Sequence, residues 1–180
     1  PIPNLEQADR LGASRLTDFP WPQLANLDAC TECGRCQVVC PAYEARPPLN
    51  PKYLILDLQH YMTAHVSGNG GGRSPTVPPA AGTQETQKMQ ETQKTQTASP
   101  GNGRANGKAM VGDIIKPETL WACTTCYNCV SECPVLIEHV DAIVDMRRYL
   151  ALMEGDIPSS LATTLTNIER SGNPWKQPRR

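Results

Sequence analysis

Cys30, Cys33, Cys36 and Cys40 are followed by Pro41, and Cys123, Cys126, Cys129 and Cys133 are followed by Pro134. The two segments read CTECGRCQVVCP and CTTCYNCVSECP, and together they use all 8 cysteines of the chain. Each has the spacing C-x2-C-x2-C-x3-C-P, the run by which bacterial proteins hold iron–sulfur clusters. A four-iron cluster is a compact cube that needs four thiolates from different directions. Three cysteines at x2 spacing wrap one cube in a tight turn. The fourth lies one helical turn further on and points elsewhere, and the following proline ends the regular backbone there. Two complete sets predict two [4Fe-4S] clusters. In two-cluster ferredoxins the fourth cysteine of each run ligates the other cluster. The expected ligand sets are therefore Cys30, Cys33, Cys36 and Cys133 for one cluster, and Cys123, Cys126, Cys129 and Cys40 for the other. Cys36 and Cys40 are about 6 Å apart along a helix axis, so clusters sharing these runs must be close neighbours.

Zinc is the rival metal, because four-cysteine zinc sites also use paired C-x2-C. A zinc site has little use for a third cysteine at x2 and a fourth at x3 before proline, twice over. Disulfides fit worse, since cysteines this close would close small, strained rings. Thiolates that hold iron must stay reduced, which points to a cytoplasmic or cytoplasm-facing setting.

The rest of the composition narrows the field. Only 39% of residues are apolar and there is a single Phe, against 17 Pro and 13 Gly. A large oily core is not expected; short helices packed around inorganic cores are. A net charge of −1 offers nothing to nucleic acid or an anionic membrane surface. No apolar run approaches the roughly 18 residues that span a bilayer. The opening PIPNLEQADR carries neither a basic nor an apolar leader and no initiator Met, and we expect a piece of a longer protein.

The chain reads as one all-α domain over 1–180 with an internal insertion. Residues 1–66 carry the first run and 112–180 the second. Between them, 67–111 is rich in Gly, Pro, Gln, Thr and Lys, and repeats Gln-Glu-Thr-Gln-Lys at 84–88 and 90–94. Such a composition buries too little surface to offset chain entropy, so a disordered insertion is expected. The competing reading is a short helix through 84–95, weakened by its threonines. Elsewhere the pattern is helical. Asn50 can cap a helix starting at Pro51, with Leu54, Leu58 and Met62 on one face. After the second run, Val140, Ile143, Val144 and Leu150 share one side, and Gly155 is a plausible stop. A further helix begins near Pro158, carries Leu161, Leu165 and Ile168, and ends at Gly172. Trp21, Leu24 and Leu27 form a short apolar face before Cys30. There is no convincing β-alternation.

Outside the cysteines the signals are weak. His60 and His65 are expected to be solvated, and His139 to start a helix or bond a cluster sulfur. Arg147-Arg148 reads as a solvated helix face or a docking patch. Trp121 and Trp175 are expected to be packing residues. No nucleophile–base pair, phosphate loop or flavin fingerprint is present, so no residue is assigned as a catalyst.

The segments DACTECGRCQVVCPAY (28–43), LWACTTCYNCVSECPV (120–135), IEHVDAIVDMRRYL (137–150) and ERSGNPW (169–175) resemble the heterodisulfide-reductase-like (Fe–S)-binding proteins. That family includes iron–sulfur subunits of heterodisulfide reductase, of glycolate oxidase and of anaerobic glycerol-3-phosphate dehydrogenase. The resemblance implies an α-helical ferredoxin fold and a domain that relays electrons inside a larger oxidoreductase. Its redox partners would be other domains or subunits: a flavoprotein, a membrane cytochrome-like segment, or a Cys-Cys-Gly-type domain. The insertion at 67–111 departs from the family pattern. Two other readings stand beside this one. One is a zinc-stabilised structural module without redox activity. The other is a succinate-dehydrogenase-type iron–sulfur subunit, which needs a two-iron motif that residues 1–29 do not contain.

Overall fold

The computed structural model describes residues 10–46, 48–66 and 108–177. The expected disordered insertion and its Gln/Thr/Lys repeat lie almost wholly outside them. The last residues of the proposed insertion do not. Met110 is fully buried, Val111 packs on the core, and an isolated bridge joins Val111 to Ile115. The described part of the second half begins at Lys108, whose carbonyl accepts a hydrogen bond from the Tyr61 hydroxyl at 3.4 Å.

The described residues form helices joined by turns, with no strand among them. They are α1 (Trp21–Asp28), α2 (Arg35–Val38), α3 (Pro41–Glu44), α4 (Pro51–Val66), α5 (Pro117–Trp121), α6 (Asn128–Ser131), α7 (His139–Tyr149) and α8 (Ser159–Ser171). A single π turn, Leu150–Glu154, follows α7.

Local chemistry sets the longer helices. At the start of α4, the Asn50 side-chain oxygen accepts from the backbone N–H of Lys52 at 3.0 Å and of Tyr53 at 3.3 Å. These are two of the donors that a helix start leaves without intrahelical partners. Pro51 fills the first position, where its missing N–H costs nothing. Leu54 and Leu58 point inward and are buried, with Met62 packed beside them. In α7, Val140, Ile143 and Met146 are buried on one face. Gly155 and Gly172 close the last two helical segments in the left-handed region, at φ 67° and 70°, which glycine enters without a Cβ penalty.

An apolar core joins the two halves. Leu27, Leu54, Ile55 and Leu58 from the first half meet Met110, Leu120, Ile143 and Met146 from the second. This corrects the expectation that inorganic groups would replace an oily core. The low apolar fraction of the whole chain misleads because the described helices commit their leucines and isoleucines to shared contacts. Helix α4 packs on α1 and α2, α7 packs on α5 and α6, and α2 lies against α6.

Two other expectations are corrected. Trp21 is 78% exposed and Trp175 76%, so neither packs inside the described residues; only Leu27 of the α1 face is buried, with Leu24 beside it. The helix expected from near Pro158 to Gly172 is present as α8, with Leu165 and Ile168 about half exposed. Arg147 is not on a solvated face, as described below.

Candidate metal centres

The two cysteine runs adopt the same backbone path. In the first, Glu32 and Gly34 have positive φ, 57° and 79°; in the second, Thr125 and Tyr127 do, at 53° and 62°. The equivalent positions follow the first cysteine by two and four residues. Each pair of left-handed residues turns the chain back on itself, so that the first three thiols of a run converge. Gly34 then caps α2 and Tyr127 caps α6, placing Cys36 and Cys129 in the second position of a short helix. Cys40 and Cys133 sit just past these helices, each before a proline. Because α2 and α6 pack side by side, the fourth cysteine of each run is delivered to the neighbourhood of the other.

Two cavities result. One is lined by Cys30, Cys33, Cys36 and Cys133, together with Lys52 and His139. The other is lined by Cys40, Cys123, Cys126 and Cys129, together with Tyr127 and Val140. All eight thiols are free. Within each run the second cysteine, Cys33 or Cys126, is exposed, while the third and fourth are buried. Among the described residues, no group of three or more His, Cys, Asp or Glu is arranged to hold a single metal ion.

Backbone amides are aimed at the sulfurs. The N–H of Thr125 donates to Cys123 Sγ and that of Ile137 to Cys133 Sγ, each at 3.4 Å. Such bonds favour the thiolate. At the exposed Cys33, the amide of Arg35 is the leading cause that holds the thiol below its usual range. Burial wins at the interior positions. It pushes Cys36 up to about 11 and Cys129 up to about 12, with neighbouring cysteines adding to the effect. Without a bound group these thiols stay protonated at neutral pH. Binding a metal centre must therefore release their protons.

The three histidines separate as their positions demand. His60 and His65 are exposed on α4. His139 is the first residue of α7 and is 1% exposed. Burial holds its imidazole below the usual value, so the neutral ring donates from Nδ1 to the Ile137 carbonyl at 2.8 Å.

Arg147 is the functional neighbour that spacing did not reveal. Its Nε donates to the Leu120 carbonyl at 2.8 Å, and Nη2 reaches both that carbonyl and the Cys123 carbonyl. The guanidinium carbon lies 5.2 Å from the centre of the Trp121 ring. Both carbonyls lie at or just past the end of α5, where Arg147 adds its donors to the Cys123 N–H that already reaches the Leu120 carbonyl at 3.3 Å. A doubled arginine looks like a solvated face in sequence because nothing local shows that α5 will end beneath it.

Fold and site together define a helical protein with two four-cysteine cavities built from interleaved runs. Residues 23–134 match the family model described as a 4Fe-4S dicluster domain, and the chain belongs to that family. It is 43% identical over 177 residues to the probable iron-sulfur-binding oxidoreductase FadF of Bacillus subtilis, covering 94% of this chain and 24% of that protein. It is 44% identical over 172 residues to a probable membrane-anchored ferredoxin of Chromohalobacter salexigens, covering 95% and 23%. A shorter stretch of 54 residues is 44% identical to a subunit of the ferredoxin/F(420)H(2)-dependent CoB-CoM heterodisulfide reductase of Methanosarcina acetivorans, covering 30% of each chain. The chain spans about a quarter of the length of the first two relatives. The resemblance to heterodisulfide-reductase-like proteins holds, the fold is helical, and the function is electron transfer through iron–sulfur clusters. Among the described residues no helix is long and apolar enough to cross a membrane.

Proposed function

We propose that this chain is one domain that binds two [4Fe-4S] clusters and relays electrons within a larger oxidoreductase. Cys30, Cys33, Cys36 and Cys133 would hold one cluster; Cys40, Cys123, Cys126 and Cys129 would hold the other. The observation that carries this reading is the make-up of the two cavities, each lined by three cysteines of one run and the fourth of the other. When bound, such a cluster takes up or releases one electron at a time. The protein's own part is to supply deprotonated sulfurs, to stabilise them with backbone amides, and to limit water at the buried third and fourth positions. Cys33 and Cys126, the exposed members, are where partners would approach. No residue acts as an acid, base or nucleophile in this scheme.

The parent protein supplies the rest. Relatives called an oxidoreductase and a membrane-anchored ferredoxin support a relay that works beside other redox modules, whether a flavoprotein, a cytochrome-like membrane segment or a Cys-Cys-Gly-type domain. Reduced thiolates support a position in the cytoplasm or at its membrane face.

Isolation without oxygen, with iron and labile sulfide measured beside the EPR spectrum of the dithionite-reduced protein, tests the proposal. About eight irons and eight sulfides per chain are expected from two four-iron cubes. Two zinc atoms with no labile sulfide would overturn it in favour of a structural zinc module.

A further inference from the structure

The two cavities share a cysteine geometry but differ in the charges set around them. The first is lined by both Lys52 and Glu32. Their charged ends lie 4.0 Å apart, so that lining cation is met by its own carboxylate; the other cation near it, Arg35 beside Cys33, is exposed, where solvent screens it. Beside the second cavity stands Arg147, reaching from α7 to the carbonyl of the lining residue Cys123. All of its partners are neutral: the Leu120 and Cys123 carbonyls and the Trp121 ring. Among the described residues it forms no ion pair. It is half-buried, and a partly buried charge is screened by salt far less than a surface one. The opposing charge nearby is Asp141, which accepts from the Tyr127 hydroxyl at 2.9 Å. That contact is exposed, where water weakens its reach. Glu138, also near Tyr127, is exposed as well.

We propose that Arg147 is a positioning residue that sets the reduction potential of the centre held by Cys40, Cys123, Cys126 and Cys129. The inference rests on the ligand assignment proposed above. One-electron reduction adds a single negative charge and, in this scheme, forms or breaks no bond and moves no proton. A fixed positive charge beside Cys123 favours the more negative, reduced state. The Nη2 hydrogen bond to the Cys123 carbonyl fixes the guanidinium beside this ligand residue. The consequence is directional: an electron delivered to the pair is biased towards the second cavity.

The test is a redox titration followed by EPR on the anaerobically isolated, cluster-loaded chain, with dithionite as reductant. Cys126→Ser marks which signal belongs to the second centre. Arg147→Gln should lower the reduction equilibrium constant of that centre about three- to tenfold, tenfold being about 59 mV for one electron, and leave the other centre in place. Arg147→Lys loses the forked hydrogen bonds but keeps the charge, and should retain most of the wild-type value. Unchanged midpoints in Arg147→Gln, equal shifts at both centres, or equal shifts in the Gln and Lys variants would overturn the proposal. If Arg147→Gln does not load clusters, the Lys variant decides alone. Its second-centre midpoint should fall as pH rises towards about 10, where a lysine loses its charge, and a midpoint as pH-insensitive as wild type refutes the idea. Failure of the ligand assignment looks different, because the wild-type chain itself would then lack sulfide or two reducible centres.

Discussion

Gly12 and Gly34 both lie at positive φ, 87° and 79°, but for different reasons. Gly34 is a bend: a Cβ there would meet nothing within 4 Å. Its counterpart in the second run is Tyr127, which holds the same left-handed backbone at φ 62°. A non-glycine residue is therefore tolerated at this turn, at a cost of order 1 kcal/mol. Gly12 is a close approach. A Cβ there would sit 2.2 Å from the Tyr149 backbone nitrogen and 2.4 Å from the Asp145 carbonyl oxygen. The N-terminal segment is pinned at that point by the Ala13 N–H, which donates to the Asp145 carbonyl at 2.9 Å. We expect Gly34→Ala to cost about 1 kcal/mol. Gly12→Ala should cost more than about 3 kcal/mol, since backbone cannot move aside as a side chain does. Urea unfolding of the two variants side by side checks the contrast, and equal losses would show that the segment does not press on α7.

Helix α4 gives Leu54, Ile55, Leu58 and Tyr61 to the core, yet Asp57 sits on it half-buried. Burial raises this carboxyl above its usual range, and His60 one turn on only partly offsets the effect. A carboxyl raised in the folded state is penalised when ionised. Its contribution to stability is thus fully present below the ordinary carboxylate pKa and is lost as pH rises through the folded value. Asp57→Asn should therefore stabilise the protein at pH 7. The gain should shrink as pH is lowered towards the carboxylate range. Urea midpoints for both proteins from about pH 7 to about pH 5 measure it, and a gain independent of pH would remove burial as the cause. The same element shows what local sequence reveals. Asn50, Pro51 and the Leu54–Leu58 spacing announce the helix because cap chemistry and periodicity are properties of neighbours in the chain. On α8 the same kind of spacing marked a helix but not a buried one: Leu165 and Ile168 are about half exposed. Periodicity gives the apolar side of a helix; whether another element covers that side is decided elsewhere.

Across the whole molecule, the two halves are joined by the shared core and by the exchange of Cys40 and Cys133 between cavities. The Tyr61 hydroxyl touches the Lys108 carbonyl, so the chain need only return from the end of α4 to a point about five residues back, roughly 8 Å. We expect a Gly/Ser linker of about eight residues in place of 68–106 to leave iron and sulfide content unchanged. The shorter loop should raise stability by about 1 kcal/mol through its smaller closure entropy. Loss of iron and sulfide in that variant would give the removed residues a part in holding the two halves together.

The cysteine runs by themselves determined the chemistry. Thiol spacing and a terminal proline lie within a dozen consecutive residues, so the iron–sulfur class could be read from them, while the helical fold was read from apolar spacing and from the family resemblance. Capped helices were legible for the same reason. What tertiary structure alone decided is everything that depends on distant pieces meeting. Met110 became core, Trp21 and Trp175 stayed in solvent, and Arg147 closed the end of α5 beside Cys123. Those outcomes are set by which surfaces remain once α4 and α7 have packed, and burial and electric field depend on three-dimensional neighbours that no local stretch of chain specifies.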